Sequence, residues 1–233
     1  AVGRTRYGGV LQMGGDGPLA YDNEQPGHRV DVADFELADA PVRTAEWAEF
    51  VREGMNEREL FDEAGWRFIN ALESPWPLGW RCAGDGFVEA TLEGWRALSG
   101  DEAVYGVSLH EARAFARWRG ATLPSEAEWE LAAQSDLGDA WLGNERGPRS
   151  ASSAAHGMRG NVWEWTRTAF APYEGFRAHP YRGYSTPYFD GAHFVLRGGS
   201  FATDPMIATP HFRNWYVAST RQLFCGLRLR YSI

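Results

Sequence analysis

The apolar positions of this chain follow two periods, and they change over in a definite order. Residues 7–15, Tyr-Gly-Gly-Val-Leu-Gln-Met-Gly-Gly, form a short apolar run framed by glycine pairs. Residues 28–37 alternate apolar and polar at Val30, Val32, Phe35 and Leu37, with one slip. Both stretches predict strands, because successive strand side chains face opposite sides. Thr44, after Pro41-Val42-Arg43, is a candidate N-cap for a helix whose apolar face holds Trp47, Phe50 and Val51. Ser108-Leu109-His110-Glu111 is a capping box, followed at helical spacing by Ala112, Phe115, Ala116 and Trp118 and stopped by Gly120. A further helix is predicted over 123–133. Ser125 is its N-cap, Glu128 closes the box, and Glu126, Glu128 and Glu130 sit near the positive end of its dipole. Residues 54–103 have weak periodicity and many Trp and Gly, which reads as a long irregular insertion. Beyond residue 134 the pattern is one of short strands and loops, clearest at Val195–Arg197 and Gly226–Tyr231. Helices early and strands late predict an α+β fold, with residues 1–233 forming a single domain.

One stretch fits neither period. Gly157-Met-Arg-Gly-Asn-Val-Trp-Glu-Trp-Thr166 sets two indoles one residue apart, on the same face of an extended segment, with Glu164 pointing the other way. Gly160 and Asn161 before them are residue types that accept left-handed turns. The segment predicts a sharp loop entering a buried strand, with a carboxylate that needs a cation, an Arg or several N–H donors. Arg197 is the candidate Arg.

Composition narrows the class. With 44% hydrophobic and 14% aromatic residues, the chain can bury a sizeable core. Eleven Trp and 27 Gly suit a loop-rich fold pinned by large rings rather than a helical bundle. Net charge is −8 and pI about 5.3, which gives no electrostatic footprint for nucleic acid or an anionic membrane. The basic residues are all Arg. No run of about 18 apolar residues is present to span a membrane. The first residues show no signal-peptide pattern, so a cytoplasmic location is expected, with surface display as the alternative. Cys82 and Cys225 form neither a CxxC nor a metal-ligand spacing.

These landmarks, in this order, resemble the formylglycine-generating enzyme/sulfatase-modifying-factor domain family. The resemblance rests on Gly8–Gly15, Asn23-Glu-Gln-Pro-Gly-His-Arg-Val30, Pro41-Val42, Gly106-Val107-Ser108 and Leu123-Pro-Ser-Glu-Ala-Glu-Trp-Glu130. It continues through Gly160-Asn-Val-Trp-Glu-Trp-Thr166, Arg197-Gly-Gly-Ser200 and Gly226-Leu-Arg228, spanning about residues 7–230. It implies a C-type-lectin-like fold: a twisted antiparallel sheet, two main helices and long loops. The segments 173–185, 195–203 and 212–215, with Gly65-Trp66, Trp80-Arg81 and Gly84-Asp85-Gly86, look most like the C-terminal domain of ergothioneine sulfoxide synthases. Those enzymes join a thiol to the imidazole of trimethylhistidine, using O2 and a non-haem iron.

The resemblance also implies site residues. Phe212, Arg213, Asn214, Trp215 and Tyr216 match a segment that lines the synthase substrate pocket. There the residue after the Trp is often acidic and holds the amino-acid part of the thiol; Tyr216 cannot pair with an ammonium. Tyr173, Tyr181 and Tyr184 are candidates for a proton-donating phenol, or else rim and packing residues. Family members hold Ca2+ around the Gly-Asn-Val-Trp-Glu motif, which maps a calcium site onto Asn161, Val162 and Glu164, with Asn144 in a second. No intrinsic iron or copper site is expected. Iron in the synthases is held by an N-terminal helical bundle, and the six His here show no i, i+4 pair. The copper-dependent branch uses two nearby Cys, whereas Cys225 stands alone, so formylglycine-generating activity is not expected.

Two functions follow. One is an ergothioneine-sulfoxide-synthase-like domain that supplies the substrate pocket for oxidative C–S bond formation and needs an iron-bearing helical-bundle partner. The other is a non-catalytic, lectin-like binding protein, such as a diversified variable protein, displaying a small-molecule or protein ligand site on its C-terminal surface near Arg197–Arg228.

Overall fold

The computed structural model describes residues 2–91, 93–135, 147–148 and 158–233. Asn144 and Gly157 therefore lie outside the described residues. The first strands are β1 (Arg4–Met13) and β2 (His28–Ala38), paired antiparallel. The slip in the apolar alternation is a β-bulge. Tyr7 faces Phe35 and Gly9 faces Val32, so Ala33 and Asp34 together oppose Gly8. The extra residue keeps Phe35 and Leu37 on the core side, where both are buried.

Helix α1 spans Thr44–Glu53, but its N-cap is Arg43 and not Thr44. The neighbouring chain sets this boundary. Val104 N–H donates to Val42 C=O and Thr44 N–H to Glu102 C=O, each at 2.9 Å, which keeps the backbone extended through Arg43. Glu63–Asn70 is α2 and Leu109–Trp118 is α3. Trp47 of α1 lies flat on Phe115 of α3, 5.1 Å between centroids, at the centre of the larger core. Ser108 caps α3 as expected, its Oγ accepting from Glu111 N–H at 3.3 Å, and Gly120 leaves the helix with φ +63°. Helix α4 (Glu126–Ser135) packs against β1 and β2, where Trp129 joins Leu11, Met13, Phe35 and Leu37 in a second core.

Residues 54–103 are more ordered than their periodicity predicts. They contain α2, N-capped by Asp62, and an antiparallel meander of β3 (Trp80–Ala83), β4 (Gly86–Thr91) and β5 (Gly94–Ala97). All four residues of β5 are exposed, so no polar–apolar alternation marks the strand in the sequence. The main sheet comes last, with β6 (Trp163–Ala169), β7 (His193–Arg197), β8 (Asn214–Val217) and β9 (Cys225–Gly226) in the order β8-β7-β6-β9. Its pairs are antiparallel except β6 with β9, and β10 (Arg230–Tyr231) crosses back to β2. Gly226–Tyr231, which reads as one strand in the sequence, is thus divided between two sheets. The described residues contain four α-helices, consistent with the α+β fold that the resemblance implied.

Candidate functional site

The three glutamates of α4 divide by helical spacing. Glu126 and Glu130 are i, i+4 and share one face; Glu128 points elsewhere, to Arg167 at 2.7 Å and Arg230 at 3.1 Å. The paired glutamates face two guanidiniums. Arg213 grips Glu126 with two bonds, Nε to Oε2 at 2.9 Å and Nη2 to Oε1 at 3.0 Å, and donates to the carbonyls of Asn23 and Ala171. Arg197 donates to Glu130 at 2.8 Å and Glu126 at 3.3 Å, and to the carbonyls of Pro210 and Phe212. Both Arg side chains are fully buried. Charges in such a place are tolerated only when paired and hydrogen-bonded, so this quartet fixes α4 to β7 and to the segment entering β8. Arg213 is therefore a framework residue, tied to α4 and to the carbonyls of Asn23 and Ala171.

Glu164 has its own partners. Arg228 donates to it from Nε at 3.1 Å and Nη2 at 2.9 Å, and the Trp129 indole N–H donates at 2.7 Å. Arg197 lies opposite Glu164 in the β6–β7 register, yet it is drawn to α4. The Arg partner of the Gly-Asn-Val-Trp-Glu motif is thus Arg228, not Arg197. Both Glu164 oxygens accept from the Arg228 Nε. Val162 is buried in the core, and the Asn161 carbonyl accepts from Phe201 N–H. Trp163 and Trp165 both face the larger core, with the Trp165 N–H donating to Val107 C=O at 2.9 Å.

The three candidate tyrosines separate. Tyr173 is buried, with its ring under the Arg213 guanidinium and its hydroxyl 3.5 Å from Arg197; burial and Glu126 push its phenol pKa well up. Tyr181 is 72% exposed. Tyr184 is half-buried in an aromatic corner, stacked on Tyr21 at 5.2 Å and edge-on to Trp215 at 5.3 Å. Phe212 meets Tyr21 edge-on at 5.4 Å, and Trp215 lies flat on Phe170 at 4.4 Å. Burial, with Tyr21, Glu24 and Asp22 adjacent, raises the Tyr184 pKa, so its phenol stays protonated. The structure thus assembles Tyr184, Phe212 and Trp215. Tyr216 and Asn214 alternate to the other face of β8 from Trp215, Tyr216 lying opposite Phe194.

Sequence reasoning missed the loop that completes this corner. Tyr21 leads into a 3₁₀ turn, Asp22–Glu24, whose side chains are buried. Asp22 accepts from the Ser185 hydroxyl and the His179 N–H, and Asn23 donates to Ser185 Oγ at 3.0 Å. Burial lifts the Glu24 pKa to about 7. The only signal in the sequence was Asn23–Val30 as a landmark of the resemblance; nothing in its pattern marks Glu24 as chemistry.

Among the described residues no three His, Cys, Asp or Glu side chains gather as a metal's ligand set. His28 turns to the Pro26 carbonyl, His193 to Asp190 and His211 to Glu130. The Cys225 thiol is buried, bonds Val107 C=O at 3.1 Å and has its pKa pushed up to about 12 by burial.

Comparison with known proteins agrees with the architecture. Residues 6–156 and 149–233 match the Sulfatase-modifying factor enzyme 1-like domain family, and the chain belongs to it. It is 36% identical over 250 residues to the hercynine oxygenase of Mycobacterium tuberculosis, covering 94% of this chain and 57% of that protein. The chain thus spans little more than half the length of that relative. Among solved structures, PvdO from Pseudomonas aeruginosa superposes with TM-score 0.65 at 16% identity, covering 99% of this chain and 94% of that one. Treponema denticola variable protein 1 superposes with TM-score 0.63, also at 16% identity, covering 98% and 94%. These two likenesses establish the fold, which is α+β and C-type-lectin-like.

Proposed function

We propose that this chain is a sulfoxide-synthase-like domain that supplies the substrate pocket for iron-dependent oxidative C–S bond formation, with the iron held by a helical-bundle partner. The observation that carries this reading is the Tyr21–Tyr184–Trp215–Phe212 corner, in a chain so similar to a hercynine oxygenase. Electron-rich ring faces suit the trimethylammonium of trimethylhistidine, a contact that contributes about 1–2 kcal/mol when desolvated. Tyr184 keeps its proton at neutral pH, as a donor at its phenolic oxygen must, while Trp215 is held by stacking on Phe170, over whose ring the Arg213 guanidinium lies at 4.9 Å. The iron, once supplied, provides O2 chemistry that no residue of this chain provides. The alternative of a ligand-displaying scaffold is supported by the fold likeness to Treponema denticola variable protein 1 and by Tyr216, which cannot pair with an ammonium.

Calorimetry with trimethylhistidine tests this reading, on the chain alone and with its iron-bearing partner. Trp215→Ala is expected to weaken binding about tenfold. Tyr184→Phe is expected to bind normally but to slow turnover of the assembled enzyme by about 10²–10⁴, the usual contribution of a positioned proton donor. Absence of trimethylhistidine binding in both preparations would reject the reading.

A further inference from the structure

The geometry points to a second functional group beside the same aromatic corner: His211 is a general base, oriented by Glu130, that takes the proton of a thiol bound there. Its chemistry follows from the structure around it; only the identity of the thiol as co-substrate rests on the proposed function.

His211 Nδ1 lies 2.8 Å from Glu130 Oε1. That carboxylate is fully buried and held from several sides: Gly14 N–H at 2.8 Å, the Gln134 amide at 3.1 Å and Arg197 at 2.8 Å. An ionised Glu130 therefore accepts from Nδ1–H, and this fixes the tautomer in which Nε2 is the free base. The backbone is fixed as well. Arg197 bonds the carbonyls on either side of His211, those of Pro210 at 2.9 Å and Phe212 at 3.3 Å, so one guanidinium positions both members of the dyad. The imidazole is 36% exposed although its partner is not exposed at all. A buried carboxylate, an oriented imidazole and a free Nε2 at a surface opening are the parts of a base with its orienting group.

The neighbourhood places this base at the corner. His211 precedes Phe212, which touches Tyr21, and Glu24 acts electrostatically on both His211 and Tyr184. The charged groups facing the ring are Glu130 from α4, Arg197 from β7 and Glu24 from the 3₁₀ turn. The Glu130 bond dominates and raises the imidazole pKa, which brings it nearer the value of about 8.5 usual for a thiol. Proton transfer breaks S–H and forms N–H at Nε2; it leaves a thiolate beside an imidazolium and moves no other electrons. Glu130 neutralises that imidazolium.

The test uses the full chain with cysteine as the probe, reading His211 by NMR titration and the thiolate by its ultraviolet absorbance at neutral pH. The wild type should titrate His211 above the ordinary histidine value and form thiolate. Glu130→Gln should return the titration towards about 6.5. His211→Gln, at a half-buried position that leaves the fold intact by circular dichroism, should reduce the thiolate at least tenfold. Equal thiolate in wild type and His211→Gln, or none in either, overturns the proposal. His211-dependent thiolate in a protein that fails to bind trimethylhistidine upholds the base and removes only the proposed function.

Discussion

Two buried carboxylates show how differently single side chains can stand in one interior. Glu164 is matched by Arg228 and Trp129. Arg228→Met strands that charge, and an equilibrium urea titration is expected to show a loss of about 3–5 kcal/mol. Adding Glu164→Leu should recover most of it, because the penalty comes from the uncompensated charge rather than the missing contact. Glu24 is the opposite case, with its pKa raised from 4.5 to about 7 by burial. Below pH 4.5 both folded and unfolded chains carry this proton; from 4.5 to 7 only the folded chain keeps it, so Glu24 contributes less stability as pH rises through that window. Glu24→Gln keeps the shape without the titration. Denaturant melts should therefore show the variant matching wild type near pH 4 and exceeding it by at most about 3 kcal/mol at pH 8. A gap that is constant with pH would show that burial of Glu24 is not what shifts it.

At the scale of elements, α4 is both a core helix and the mount for the polar network, so its start has consequences beyond its own length. Ser125 Oγ accepts from Glu128 N–H at 3.1 Å, and Glu128 accepts from Ser125 N–H at 2.7 Å. Ser125→Ala is expected to lower stability by about 1 kcal/mol, seen as a lower midpoint in thermal melts. Gly198, just after β7, is held more tightly. Its φ is +96°, and a Cβ would lie 2.5 Å from the Met158 carbonyl oxygen, so Gly198→Ala should lower stability by more than the cap variant does. The capping boxes at Ser108 and Ser125 were legible because a cap is a local event between residues three apart. The i, i+4 pair Glu126 and Glu130 was equally visible as spacing, but its meaning was not. Arg197 and Arg213 lie some seventy to ninety residues away, and only the assembled sheet shows which glutamate each of them meets. The same holds for Glu164, whose Arg was expected at its strand neighbour and came from Arg228 instead.

For the whole molecule, the two periods and the order of landmarks sufficed for the α+β class and the family, while the aromatic corner and its His211 neighbour depend on long-range closure: Tyr21 and Glu24 from the first loop, Tyr184 from the middle, His211 and Trp215 from the end. That closure leaves β8 at the margin of the main sheet, with β7 on one side and no strand on the other among the described residues. Along this margin Tyr216 and Val217 are 37% and 38% exposed, and Tyr188 and Tyr181 on the adjoining segment are 37% and 72% exposed. An apolar, unpaired edge is a liability unless something covers it. If the iron-bearing partner of the proposed function completes the pocket, this edge, on the strand that carries Trp215, is the approach we propose for it. Val217→Lys is the decisive variant. Lysine is well tolerated on edge strands, and a substitution at this exposed site should change stability by less than about 0.5 kcal/mol. The expected outcome is an unchanged melting temperature and unchanged trimethylhistidine binding by the isolated chain, with at least tenfold weaker affinity for the iron-loaded partner in calorimetry. Unaltered partner affinity would place the interface elsewhere and leave β8 as a bare edge.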